Sequence, residues 1–380
     1  MTSSPPPNNI VAPAPLSGTI ANSSLRARIE KLAAEIRLPT VTAERCVHTR
    51  IGDATCRACV DACPLGAWVI DDERLGIDIN ACDGCGLCVP ACPEGAIVSD
   101  DVLADTDLRT WKNHTTVFRT CERTDLDAPD CRIPCLHRIG TRELLFRYQR
   151  GMTLWIITAA DCDACPRGGV QRLAESIRQT NALLQSRSLE PIVLVALEPS
   201  HWNKILSQSN PCQSGLVSTR RNFFYDALRT AVNTTRDAAT LTGDEPANFT
   251  PPAAWLPKTG PDDLFLATPT IDPTRCNGCD ACVRLCPHQA IALETTETAS
   301  CYQVEPRQCT GCGICRDACD QDAIRIKTLA PRPPAVALAQ GRCPACDIRY
   351  HLPTAQLGTD GLCAICAQTR HGRHLYQVFK

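Results

Sequence analysis

Apolar positions along the chain change their period several times, and each change marks an element. Residues 1–22 are proline-containing and aperiodic, a leader expected to be disordered. From Ser23, Leu25, Ile29, Leu32 and Ile36 recur at helical spacing among charged residues, which predicts an amphipathic helix over 23–39 that covers the next domain or docks a partner. Trp68-Val-Ile-Asp and Gly76-Ile-Asp-Ile-Asn80 alternate with period two, as a short hairpin does. From Thr115 the grammar shifts. Thr116–Thr120 reads as a strand ending at Cys121, 141–150 as a helix, 153–158 as a buried strand, 171–187 as a long helix and 191–197 as a third strand. That β-α-β-α-β order predicts a parallel sheet with right-handed crossovers, whose sites gather at the carboxyl ends of the strands. A further helix starts near Ser218 or Thr219 and carries Arg220 and Arg221. Residues 241–269, rich in proline and poor in periodic apolar positions, read as a linker, and Pro331-Arg-Pro-Pro as a stiff joint.

Composition changes this picture in one way. The 380 residues allow two to four domains, but only 4% are aromatic while 27 are cysteine. Metal binding can replace the missing apolar burial, because forming the site and folding are then one event. The first residues have no basic region, apolar stretch or twin arginine, and no run approaches the roughly 18 apolar residues a membrane span needs. The expected location is the cytoplasm, where thiols stay reduced for ligation. A formal net charge of −2, with no basic stripe interleaved with aromatics, argues against nucleic acid.

The cysteines carry the chemistry. Cys276-Asn-Gly-Cys279-Asp-Ala-Cys282-Val-Arg-Leu-Cys286-Pro is followed by Cys309-Thr-Gly-Cys312-Gly-Ile-Cys315-Arg-Asp-Ala-Cys319. This twice-written spacing resembles the bacterial two-[4Fe-4S] ferredoxins, over about 270–328. Zinc sites or a disulfide framework are the plain alternative, and two full copies of one spacing weigh against them. The resemblance implies one cluster on Cys276, Cys279, Cys282 and Cys319, and another on Cys309, Cys312, Cys315 and Cys286. Asp320 departs from it, standing where the family usually has proline. A second ferredoxin-like segment covers 40–105. Its later half, Cys82-Asp-Gly-Cys85-Gly-Leu-Cys88-Val-Pro-Ala-Cys92-Pro, is complete, whereas Cys56-Arg-Ala-Cys59-Val-Asp-Ala-Cys63-Pro lacks the leading cysteine. Cys46 is the preferred substitute, since iron–sulfur sites favour thiolate; Asp53, at the family position, and His48 are the other candidates.

Between these segments, over 112–240, Cys121 and the Cys162/Cys165 pair fall at strand ends, with Cys131 and Cys135 in the loop between. Their number suffices for a [2Fe-2S] cluster. Ile133-Pro-Cys135-Leu-His-Arg-Ile-Gly140, the strand with Cys162-x-x-Cys165, and Thr180-Asn-Ala-Leu-Leu184 resemble the delta subunits of methyl-viologen-reducing hydrogenases. That resemblance implies a [2Fe-2S] cluster passing electrons between a hydrogenase and a heterodisulfide-reductase-type partner. The fourth ligand stays open between Cys131 and Cys135, and His137 lies near where the family has glycine. A strand, Cys-x-x-Cys-Pro and a helix also fit a thioredoxin-type pair with an acidified first thiol.

The tail, 335–380, carries Cys343-Pro-Ala-Cys346 and Cys363-Ala-Ile-Cys366, knuckles that fit an all-cysteine zinc ribbon better than a rubredoxin-like iron site. His351, His371 and His374 are then surface residues, and Cys212 and Cys301, without companions at ligand spacing, buried structural thiols. No dinucleotide, phosphate-loop or His-Glu-x-x-His motif is present, so the chain offers redox centres without an evident place for substrate turnover.

The expectation is a multidomain α+β and α/β protein: two ferredoxin-like modules, a small parallel-sheet α/β module and a zinc ribbon. It would hold about four [4Fe-4S] clusters, one [2Fe-2S] cluster and one Zn2+. It would relay low-potential electrons, as part of a complex, between redox enzymes such as a hydrogenase, a formate dehydrogenase or a heterodisulfide-reductase-like partner, or ferredoxin- or flavodoxin-type proteins. The alternatives are a ferredoxin-driven thiol-disulfide oxidoreductase using Cys162 and Cys165, and an assembly factor or redox sensor.

Overall fold

The computed structural model describes residues 38–70, 75–99, 107–167, 172–212, 249–257, 260, 262–296, 299–356 and 361–369. The leader, all but the end of the helix at 23–39, the helix near Ser218, His371 and His374 lie outside the described residues. The chain divides into two units, one of Met1–Arg50 with Arg57–Leu256 and one of Ile51–Cys56 with Pro257–Lys380.

The first unit opens with a small cysteine-bearing module. Strand β1 (Thr40–Val41) pairs antiparallel with β4 (Ile97–Val98), and between them lie helix α1 (Ala58–Ala62), the hairpin β2–β3 (Trp68–Ile70 and Leu75–Ile77) and helix α2 (Cys88–Ala91). The hairpin is the one the alternation predicts. Its inward residues Trp68, Leu75 and Ile77 pack with Ile97, Cys46, Cys59 and Cys88, so thiols take up much of what would be apolar core.

The sheet of the α/β module comprises β5 (Leu108–Trp111), β6 (His114–Cys121), β7 (Arg132–Ile133), β8 (Leu154–Thr158), β9 (Val193–Ala196) and β10 (Asn210–Pro211). Strands β6, β8 and β9 run parallel, joined by α3 (Thr141–Gln149) and α4 (Arg172–Gln185), as the sequence order requires. The sheet is mixed, however, because β5 and β10 add antiparallel at the β6 edge. Strand β8 is a near-continuous apolar run, β6 buries Val117 and Phe118 beside the polar Thr116, Arg119 and Thr120, and Leu144, Leu145, Leu183 and Leu184 of the two helices are buried. Helix α5 (Pro199–Ser207) adds Trp202, which meets Phe118 edge to face at 5.7 Å. Part of the stretch read as a linker packs here: Trp255 meets Phe146 of α3 at 5.8 Å.

The second unit repeats the first module's plan. Strand β11 (Phe265–Ile271) pairs antiparallel with β14 (Ile324–Ala330), enclosing α6 (Ala281–Arg284), the hairpin β12–β13 (Ile291–Thr295 and Ser300–Val304) and α7 (Ile314–Asp317). Strand β11 begins inside the expected linker. Its Pro269 is tolerated because β11 has one partner strand and keeps a free edge. Nor is the tail a separate body behind a joint. Strand β15 (Val336–Arg342) pairs with β13 and with β16 (Arg349–Pro353), giving the four-stranded order β12-β13-β15-β16, and α8 (Ala364–Thr369) follows.

Two minor expectations need correction. Cys301 sits on the outward phase of β13, where Ser300, Tyr302 and Val304 point inward, and Cys212 lies within reach of the Thr110 hydroxyl; both are partly exposed. Neither is a buried structural thiol.

Candidate metal centres

The four cysteines that close the ferredoxin-type motifs share one local geometry. The amides of Ala67, Ala96, Ala290 and Ala323 donate to the thiols of Cys63, Cys92, Cys286 and Cys319 at 3.3, 3.2, 3.2 and 3.3 Å. In each case the residue before the alanine has positive φ: Gly66 and Gly95 in the first unit, Gln289 and Asp322 in the second. Glycine suits that turn, and Gln289 and Asp322 adopt it at some strain. Cys319 keeps the geometry although aspartate follows it instead of proline. An alanine four residues after each closing cysteine was the sequence signal for this repeated bond. Such N–H to sulfur bonds stabilise a thiolate and tune whatever it ligates.

Several of the cysteines singled out by spacing lie near one another. The Cys82 thiol is pushed up by burial first, then by Asp83 and Cys63 nearby, and Cys88 is pushed to about 12 by burial, with Cys85 and Cys82 adding to it. In the second unit burial pushes Cys282 to about 12, reinforced by Cys276, Cys279 and Cys319. Cys315 is raised by burial, then by Cys309, Cys312 and Cys286, and these four line one small cavity. Crowded thiols, half or wholly buried for the most part, are poor sites for bare thiolate charge. A cationic iron–sulfur core supplies the missing countercharge, so the donor sets fit that group. Cys46 is buried in the same core as Cys59, with Cys92 packed against it, whereas Asp53 is exposed.

The α/β module contains a cavity of about 100 Å3 at the carboxyl end of its sheet, with Cys121, Cys135, Cys162 and Cys165 on its walls. Strand β6 delivers Cys121, the loop after β7 Cys135, and the turn beyond β8 the other two. Cys131 is not among them. It packs with Phe118, Leu126, Ala128, Ile156 and Trp202, and burial pushes its thiol to about 11. His137 lines the cavity too, but its Nδ1 accepts the Leu173 amide at 3.4 Å, and burial lowers its pKa. Cys162 is raised by burial first, with Cys121 and Cys165 next, and Cys162–Arg167 is a turn, not the start of a helix. An acidified nucleophile needs the opposite shift.

At the far end, the Sγ atoms of Cys343, Cys346, Cys363 and Cys366 all lie within 4.8 Å of one another. The Cys363 amide holds the Cys343 thiol down to about 6, so it ionises readily for a metal. Four thiolates with no open position suit a structural ion.

His351 is not a surface residue. Its Nε2 lies 2.9 Å from Asp280 Oδ1 and 3.2 Å from the Tyr302 hydroxyl, which donates to the same carboxylate oxygen at 2.7 Å. Asp280 stands between Cys279 and Cys282 at φ 63, where the sister loops have Gly86 and Gly313 at φ 73 and 89. Sequence reasoning passed over Asp280, and also Arg167, whose guanidinium reaches three loops of the first unit.

Crowded, mostly half-buried thiols and the matching family models together suggest an iron–sulfur protein of the electron-transfer class. Two family models, each described as a 4Fe-4S dicluster domain, match residues 54–97 and 275–323, so both ferredoxin-like segments are dicluster domains. Comparison with curated proteins returns no match. No helix among the described residues is long and apolar enough to cross a membrane.

Proposed function

We infer that the protein is a multi-cluster relay that carries low-potential electrons between redox enzymes. About four [4Fe-4S] clusters would sit on the two dicluster domains, held by Cys46, Cys56, Cys59 and Cys92; Cys63, Cys82, Cys85 and Cys88; Cys276, Cys279, Cys282 and Cys319; and Cys286, Cys309, Cys312 and Cys315. Cys121, Cys135, Cys162 and Cys165 would hold a [2Fe-2S] cluster, and the four tail cysteines Zn2+. Each cluster supplies one-electron exchange when bound. The chain's part is to bury the thiols, aim backbone amides at them and keep water out. The partners fitting the hydrogenase-delta resemblance are a hydrogenase, a formate dehydrogenase or a heterodisulfide-reductase-like complex, at a cytoplasmic location.

The observation that carries this reading is the four-thiol cavity of the α/β module, in the same unit as residues 57–97 of the first dicluster match. Metal and sulfide analysis of anaerobically purified protein, with electron paramagnetic resonance after reduction, tests it. The relay predicts about eighteen irons and one zinc per chain, with a [2Fe-2S] signal. About sixteen irons, with Cys162 and Cys165 open to alkylation, would move the function to thiol-disulfide exchange.

A further inference from the structure

Arg167 is the second residue after Cys165 and is only 3% exposed. Its Nε lies 2.5 Å from Asp83 Oδ2, its Nη1 2.5 Å from the Pro134 carbonyl oxygen and its Nη2 2.7 Å from Glu122 Oε1. Nη2 also lies 3.5 Å from the Asp83 carbonyl oxygen. Every acceptor is next in sequence to a cysteine: Asp83 to Cys82, Glu122 to Cys121, and Pro134 to Cys135. One guanidinium thus ties three thiol-bearing loops of two different sites to the turn that carries a fourth.

The two sites also share a wall. Cys85, Leu87 and Cys135 form one buried cluster, and Leu87 lines the α/β cavity. Burial works against the charged guanidinium, but the bonds to Asp83 and Glu122 more than offset it and its pKa is raised. The charge is therefore fixed, and it opposes the upward push of burial on Cys82 and Cys85 at one site and on Cys135 at the other. A planar fork of five donors makes these bonds in several directions at once, which a lysine cannot.

We propose that Arg167 is a positioning residue shared by the Cys63/Cys82/Cys85/Cys88 site and the Cys121/Cys135/Cys162/Cys165 site, fastening one to the other and setting both reduction potentials with one buried positive charge. The inference rests on the reading that the cavity holds a cluster. A site that gains an electron on reduction gains negative charge, and a cation in low dielectric favours that form. A clamp with no electrostatic role would leave the potentials where they are.

The test is a redox titration of the reduced holoprotein followed by electron paramagnetic resonance, on wild type, Arg167→Gln, Arg167→Lys, Glu122→Gln and Asp83→Asn. In Arg167→Gln both the [2Fe-2S] and one [4Fe-4S] midpoint shift to more negative values, and Arg167→Lys recovers part of both shifts. Glu122→Gln moves the [2Fe-2S] midpoint the other way and Asp83→Asn the [4Fe-4S] one, and these two decide the matter if Arg167→Gln does not assemble. Midpoints unmoved in variants with full iron content, or only one site responding to Arg167, would overturn the proposal. A wild type without a [2Fe-2S] signal would instead overturn the reading on which it rests.

Discussion

The two dicluster domains have one backbone plan, yet the loops that carry their cysteines are braced differently. In the first unit the Cys82–Cys88 loop is held through Asp83 by a buried arginine of the α/β module. In the second the Cys276–Cys282 loop is held through Asp280 by His351 and Tyr302, and the His351 backbone lies against Gly278. A charged brace stands where a second thiol pocket adjoins, and an imidazole and a phenol where the adjoining body is the four-cysteine tail. A fixed charge acts on everything within its low-dielectric surroundings, whereas a hydrogen-bonded ring mostly fixes geometry. The first brace should therefore be read out in potentials and the second in stability.

The largest way to break the comparison is to strip the tail. On the proposal that the tail holds Zn2+, whose structural binding is worth about 10–16 kcal/mol, a chelator should unfold the region around β16 and α8 and release the His351 contact, while any iron held in the first unit stays. Hydrogen exchange resolved by peptide, with iron counts, checks both halves. Next is Gly278→Ala: at φ 71 its Cβ would stand 2.2 Å from the His351 carbonyl oxygen. A loss of about 2–5 kcal/mol is expected. Gly86→Ala, at φ 73, meets only the flexible end of Arg138 at 3.0 Å and should lose about 1–2 kcal/mol. Thermal melts that rank the two variants the other way would show that His351 is not a rigid brace.

Smaller effects sharpen the contrast. Asp280→Gly relieves a left-handed aspartate but leaves the Tyr302 hydroxyl and His351 only each other, for a net loss of about 1 kcal/mol. Limited proteolysis of the tail should accelerate accordingly. Asp83→Asn should also lose about 1 kcal/mol, with a defined pH dependence. Burial acts to raise the Asp83 carboxyl, but the Arg167 hydrogen bond and charge outweigh it and hold the pKa below the ordinary 3.8. A depressed carboxylate pKa gives stability that is complete above the ordinary value and lost as pH falls through the folded one. The penalty of Asp83→Asn in urea melts should thus be equal at pH 5 and pH 8; a penalty that shrinks within that window would contradict the pairing.

Local pattern made the α/β core legible. The run 116–120 extends to β6, the helix from Thr141 and the strand at 153–158 are present, and the order of elements fixed the parallel pairing. Cysteine spacing likewise pointed to the two dicluster domains that the family models match, because three ligands on one tight loop leave little choice of geometry. What spacing could not reach were contacts closed by tertiary structure. Arg167 meets Asp83 across 84 residues of chain, and His351 meets Asp280 across 71. Pro269 disguised β11 as linker because a proline on a free strand edge looks, in sequence, like a break. Cys131 and Cys135 are four residues apart, and only the short strand β7 between them turns one into the core and the other into the cavity.

That last pair gives the most direct test of the relay. Cys135→Ser and Cys131→Ala, each purified anaerobically, would be compared by iron content and by electron paramagnetic resonance of the reduced protein. The account predicts that Cys135→Ser loses or visibly alters the [2Fe-2S] signal and about two irons per chain, while Cys131→Ala keeps both. An unchanged signal in Cys135→Ser, or its loss in Cys131→Ala, would contradict the assignment of the α/β cavity as the relay's middle site.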